Sequence, residues 1–309
     1  MPKQLLLYIA CILVSLSAVS QDDLTALPVI PGSSVPIFAD SSDHLFTFSS
    51  DHLTRPNAEM PGDPVYRINP KVDIPVLAAA AGWTFYGFAQ ISKKEPTSQT
   101  TIMNLSKSSI PWYDRWAVRP YNRSVDKLSY LPFDAAMPYP LIFCAFDKKM
   151  RKDYWKLTFL YAEAMAITGA FYTSSVHYLS RLRPLTYSSE SPMDTRTSEN
   201  SRNSFFAGHV ALVATSTFFM ARVYADYHPD SKFKWVMYGV AGAATLVTGY
   251  LRHRAGEHFP SDILVGTVIG TASGLLTPKL HQAKLIKNQK LTILPFAGRS
   301  QGLALLYKL

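Results

Sequence analysis

Between residues 252 and 262 the sequence reads RHRAGEHFPSD, set between the apolar runs WVMYGVAGAATLVTGYL and ILVGTVIGTASGLL. Two arginines, two histidines, a glutamate and an aspartate in such surroundings are costly unless they are paired or used. Two other short stretches, SRLRP containing Arg183 and NSFFAGH ending at His209, also lie at the ends of apolar segments. Successive antiparallel helices bring such points to one end of a bundle, gathering Arg183, His209, Arg252, His258 and Asp262. Helix ends expose free backbone N–H groups, so two arginines there make a cradle for a tetrahedral anion. The chemistry this set serves is phosphoryl transfer. A neutral imidazole attacks phosphorus, arginines neutralise the oxygens, and a second histidine protonates the departing alcohol. Pro260 at a first helical turn places His258 just ahead of a helix and Asp262 within its opening turn, so the aspartate can hold the other imidazole nitrogen.

The elements that must position these groups are helices. Apolar segments run over about 74–92, 132–146, 156–181, 204–224, 234–251 and 260–278, with length, Ala/Leu/Met/Phe content and proline punctuation favouring helix over strand. The expected fold is all-α, a bundle of about six core helices over 74–278 with the chemistry-bearing core at 155–278 and the site at one end. Residues 21–73 carry seven prolines and little periodicity, and are expected to form a polar leader. The mixed stretch 93–131 contains IPWYDRWAVRPYN, whose aromatics are expected to pack. In the basic tail, 279–309, KLTILPF and GLALLYKL are expected to pair as a short hairpin.

At 309 residues and 48% hydrophobic the chain buries a sizeable core, and its net charge of +9 favours anionic partners such as phosphate groups or acidic lipid. No motif interleaves aromatics with base-reading residues, so nucleic acid is not an expected partner. Residues 1–20 have the plan of a secretory signal peptide ahead of Gln21, with an uncleaved anchor as the alternative. Cys144 is the only cysteine beyond that segment, so no intramolecular disulfide is expected in the mature chain. Mean hydropathy of +0.03 leaves membrane embedding to local patterns. The basic segment DKKMRKDYWK and the basic tail lie at helix ends opposite the candidate site, which puts the site outside the cytoplasm by the positive-inside rule. A cleaved signal peptide followed by spans at 74–92 and 132–146 puts that basic segment outside as well, so these expectations conflict. HRAGEH matches neither zinc-site spacing of histidines about a glutamate, and the remaining histidines, His44, His52, His228, His253 and His281, are expected to be caps or surface residues.

Arg252-x5-His258-x3-Asp262, with FAGH at 206–209 and RP at 183–184, resembles the three signature motifs of the type 2 phosphatidic acid phosphatases, a superfamily shared with vanadium haloperoxidases and bacterial acid phosphatases. The resemblance covers roughly 155–278. It implies His258 as the nucleophile forming a phosphohistidine, Asp262 as its orienter and His209 as general acid, with Arg183, Arg252 and the Gly208 amide binding phosphate and no metal or other cofactor required. It further implies a phosphatase acting on a phosphate monoester or pyrophosphate, lipid-linked, in a bacterial envelope with the site facing the periplasm. A soluble periplasmic acid phosphatase and a catalytically silent phosphate-binding or envelope protein are the alternatives. Three positions depart from the pattern. Val176 stands where the first motif has lysine, Ala207 where the second has serine, and Leu251 where a serine precedes the third-motif arginine. His177, Arg181 and Ser204 are the candidates to replace the lost contacts.

Overall fold

A computed structural model describes residues 64–283, together with the backbone of 291–297 and 301–307. The expected signal peptide and residues 21–63 of the expected leader lie outside the described residues.

The first helix, α1 (Pro70–Ile91), begins four residues ahead of the expected start at 74, because Pro70 occupies the first turn and the Asn69 side chain accepts from the Lys71 N–H at 3.2 Å. A loop with the short helix α2 (Gln99–Met103) leads to α3 (Arg123–Ala136), capped by Asn122, whose side chain accepts from the Val125 N–H at 3.0 Å. The apolar segment expected over 132–146 is the end of α3 followed by α4 (Tyr139–Phe146), with a break at Met137–Pro138. Proline at 138 and 140 removes two helical donors, and the carbonyls left open are taken up from neighbouring helices: Ser216 donates to Ala136 O, and the Tyr161 hydroxyl to Met137 O at 2.8 Å.

Four further elements complete the helical part: α5 (Tyr154–Leu179), the short α6 (Met193–Thr197), α7 (Gly208–Tyr227) and α8 (Phe233–Arg254). Last comes α9 (Pro260–Leu280), opened by Pro260 as expected. Among the described residues the long helices α1, α3, α5, α7, α8 and α9 form one bundle. Strands β1 (Leu291–Ala297) and β2 (Gln301–Tyr307) then pair antiparallel, with Leu291 opposite Tyr307 and Ala297 opposite Gln301, as the hairpin expectation has it.

Helix α9 lies directly on α7 because one of its faces is glycine. A Cβ added at Gly266, Gly270 or Gly274 would come within 2.7, 2.1 and 2.5 Å of the carbonyl oxygens of Ala207, Ala211 and Thr215. The backbones therefore touch, and the Ala207 N–H donates to Asp262 O at 3.0 Å, tying the first turn of α9 to the entrance of α7. Gly270→Ala is expected to force these helices apart and lower stability by about 2–3 kcal/mol. Gly239→Ala, which meets nothing within 4 Å, should be neutral or slightly stabilising. Thermal unfolding of the purified protein in detergent compares the two, and equal effects would refute the close-contact explanation.

The helices alternate direction, so the ends near residues 91, 123, 179, 208, 254 and 260 form one pole of the bundle. The other pole holds Tyr66, paired in a β-bridge with Gln282, and the basic segment 147–156. Helices α3 and α4 together make one return crossing. Residue 66 and the basic segment therefore share a pole.

Many apolar side chains on the flanks face outward, among them Phe146 at 81%, Leu246 at 72% and Leu264 at 64% exposure. Among the described residues, α1 and α9 are long and apolar enough to cross a membrane. The 112–116 aromatics do not pack as expected: Trp112 is 80% and Trp116 66% exposed at the pole that carries residues 252–262. His281 also departs from expectation, being buried with its Nε2 3.4 Å from carboxylate oxygens of both Asp73 and Glu163.

Candidate active site

Three chain segments meet at the pole opposite the basic segment. The α8–α9 turn is built around Gly256, whose φ of +78° is a left-handed conformation, and a Cβ there would lie 2.9 Å from Pro120 O. The turn is pinned from both sides, by the Asn122 N–H on Ala255 O at 3.2 Å and the Leu185 N–H on Gly256 O at 3.0 Å. These bonds fix Arg252 at the end of α8 and His258 just before α9.

The structure brings Arg183, Gly208, His209, Arg252 and His258 to the wall of one cavity of about 320 Å³. Its other lining residues include Asp126 and Glu257 and the side chains of Ile91, Tyr130, Phe133, Tyr172 and Leu212. One wall is thus ionic and the other aromatic and aliphatic. Asp262 does not line the cavity; it stands behind His258.

His258 is 2% exposed, and its Nδ1 lies 2.7 Å from the Ser204 carbonyl oxygen. A carbonyl only accepts, so the proton sits on Nδ1 and Nε2 keeps its lone pair. The expected Asp262–His258 hydrogen bond is not made, since Asp262 Oδ2 is 3.9 Å from Nδ1. Asp262 instead caps its own helix by accepting from the Phe259 N–H at 2.9 Å, and takes the Ser204 hydroxyl at 2.6 Å on the same oxygen. It therefore acts on the imidazole through Ser204, the residue whose carbonyl holds Nδ1. Arg181 is one of the candidates to replace a lost contact. It is in fact held between Asp262 and Asp114, with 2.7 Å to Asp114 Oδ2 and 2.8 Å to Ser261 Oγ, and it stacks over Phe259. Arg181 and Ser204 are thereby engaged with Asp262, and neither lines the cavity as a replacement phosphate contact.

Arg252, 2% exposed, donates to Asp126 Oδ1 at 2.6 Å, Ser129 Oγ at 3.1 Å and Glu257 Oε2 at 2.9 Å. Arg183 pairs with the same Glu257 oxygen. Each arginine retains a buried Nε–H without a partner, and so does His209 Nε2, leaving three buried polar atoms unspent around the cavity. His209 is set edge-on to Tyr130 at 4.9 Å and tilted against Phe133 at 4.5 Å, in the first turn of α7. Gly208 opens that helix, where N–H groups have no intrahelical acceptor, and a Cβ there would strike the Tyr172 ring at 2.7 Å.

At the position that departs from the lysine pattern, Val176 is buried, and an ammonium reaches its carbonyl from another element: Lys94 Nζ donates to Val176 O at 2.6 Å and to Asn203 Oδ1 at 3.1 Å. His177 contacts Tyr178 and takes no part. Lys94, Asp114, Asp126 and Glu257 are the residues that sequence reasoning missed. Glu257 alone carried a signal, as the acid inside the 252–262 cluster; Lys94 and Asp114 come from the loops between α1 and α3 and Asp126 from the first turn of α3, far from the motifs in sequence.

Burial, reinforced by Arg252 and Arg183, holds the His258 imidazole well below the usual histidine range, and burial beside Arg252 pushes the Arg183 guanidinium down to about 10. His258 is thus neutral and ready as a nucleophile at neutral and mildly acidic pH. Imidazole NMR is expected to show the Nδ1–H tautomer with no protonation at pH 6, and titration near 6.5 would contradict it. The linkage has a definite sign. The unfolded chain takes up a proton on this histidine that the folded chain refuses, so its contribution to stability is lost as pH falls below about 6.5.

Residues 157–286 match the family described as the PAP2 superfamily. Among solved structures, the chain matches the first transmembrane PAP2-type phosphatidylglycerolphosphate phosphatase from Bacillus subtilis. Sequence identity is 17%, the match covers 66% of this chain and 96% of that one, and the TM-score is 0.42. No curated protein sequence matches.

Proposed function

We propose, from the match of residues 157–286 to the PAP2 superfamily, that this chain is a phosphatase releasing phosphate from a lipid phosphate or lipid pyrophosphate through a phosphohistidine on His258. The observation that carries this reading is the cavity itself. An imidazole with its Nε2 lone pair free shares one wall with three buried polar atoms that have no partner, on Arg183, Arg252 and His209.

His258 Nε2 attacks phosphorus and the P–O bond to the alcohol breaks; the leaving oxygen takes its proton from His209, which burial and the two arginines hold neutral in the empty site and which gains that proton as the phosphate dianion binds beside it. Arg183, Arg252 and the Gly208 amide hold the three phosphoryl oxygens as the geometry becomes five-coordinate. Water then attacks the phosphohistidine, giving up its proton to His209, and inorganic phosphate leaves with both histidines restored. No step calls on a metal.

A lipid substrate is supported by the aromatic and aliphatic wall of the cavity and by the outward apolar flanks, which suit a bilayer rather than water. Trp112 and Trp116 at the cavity pole fit the membrane–water interface. In this setting the basic pole lies in the cytoplasm and the cavity opens on the opposite side. Residue 66, at the basic pole, is then cytoplasmic as well.

The test is phosphate release, with chelator present, from phosphatidate, phosphatidylglycerophosphate, an isoprenoid diphosphate and p-nitrophenyl phosphate. Chelator-resistant release, with an acid-labile and base-stable phosphoenzyme trapped on quenching, supports the reading. Folded protein that releases phosphate from none of them would show a silent member.

A further inference from the structure

We propose that Glu257 is a built-in counter-ion of the phosphate cradle, occupying the place of a phosphoryl oxygen in the empty site and setting how weakly the site holds its product. The proposal rests on the phosphatase reading above. The Glu257 carboxylate is 5% exposed, lines the cavity, and uses the single oxygen Oε2 to bridge Arg183 and Arg252. One anionic oxygen shared by two guanidinium groups is the contact a bound phosphate makes.

The charge balance gives this contact its consequence. Arg183 and Arg252 face Glu257 and Asp126, and with His258 and His209 both neutral in the empty site the two cations and two carboxylates cancel. A phosphate dianion therefore enters a cradle without net positive charge. Its first contacts are the unspent Nε–H groups of the two arginines. As the terminal guanidinium N–H groups pass from Glu257 to phosphoryl oxygens, the carboxylate is left beside the dianion and repels it. Substrate is held by its lipid part as well as its phosphate, whereas product phosphate has only the cradle, so the repulsion acts most on product.

The experiment measures inorganic phosphate and orthovanadate as competitive inhibitors, and by equilibrium binding, on the full chain in detergent. Glu257→Gln is expected to bind phosphate about tenfold tighter, the scale of removing one like charge at contact distance in a partly solvated site. KM for the lipid phosphate should fall and kcat should fall with it, because product leaves more slowly. Asp126→Asn, which removes the second carboxylate from Arg252, should shift phosphate affinity in the same direction by a smaller factor, and it carries the test should Glu257→Gln fail to fold. Unchanged or weaker phosphate binding by the folded variants, in a protein whose wild type does bind phosphate, overturns the counter-ion role alone. A wild type that binds neither anion and releases no phosphate overturns the phosphatase reading and the proposal together.

Discussion

His258→Ala is expected to lower phosphate release by at least about 10⁴-fold and to abolish the trapped phosphoenzyme, because it deletes the atom proposed to bond phosphorus. The alanine leaves the arginine cradle in place, so binding of inorganic phosphate should persist while turnover is lost. His209→Ala is expected to behave differently. A general acid contributes about 10²–10⁴-fold for a poor leaving group such as a lipid alcohol. p-Nitrophenolate departs without a proton, so the same variant should lose much less on p-nitrophenyl phosphate. Equal losses on both substrates would remove His209 from the acid role, and release that survives His258→Ala would move the nucleophile elsewhere.

Arg252→Gln is expected to combine a loss of activity with a large loss of stability. Arg252 is buried and carries the charges of Glu257 and Asp126, at 2.9 and 2.6 Å. Removing one partner of a buried ionic cluster costs about 3–5 kcal/mol, since the carboxylates are left uncompensated. Arg252→Gln with Glu257→Gln should recover part of that stability, because the second change removes one of the orphaned charges. Activity should stay low in the double variant, as the phosphoryl oxygens have still lost a guanidinium. Thermal unfolding and phosphate release over the four proteins of this cycle separate the two roles. A double variant no more stable than Arg252→Gln would mean that the pair is not coupled in the folded chain.

These outcomes turn on contacts that the sequence does not display. Five of the six long helices, the site pole and the terminal hairpin are legible because apolar length, proline position and turn residues are local properties, whereas α3 lies mostly ahead of the 132–146 segment expected in its place. So is the grouping of Arg183, His209, Arg252 and His258, since helices that alternate direction have only two poles at which their ends can meet. Their charges and spacing also indicate an anion before any coordinate is known. The tertiary structure decided who holds whom. The break at Met137–Pro138 is stable because Ser216 and Tyr161, on two other helices, take up the open carbonyls. Asp262 is four residues from His258, a spacing that invites a direct bond, yet capping its own helix draws it to the Phe259 N–H and to Ser204. The imidazole is left to a backbone carbonyl, which no side-chain pattern announces. Lys94 and Asp114 reach the site region from the loops ahead of α3 and Asp126 from its first turn, and these contacts span 67 to 147 residues along the chain, with 126 between Asp126 and Arg252. Periodicity records which face of a helix is apolar; it carries no information about which carboxylate a buried arginine will find, because that choice is made only when separate segments are packed together and every buried charge must be matched.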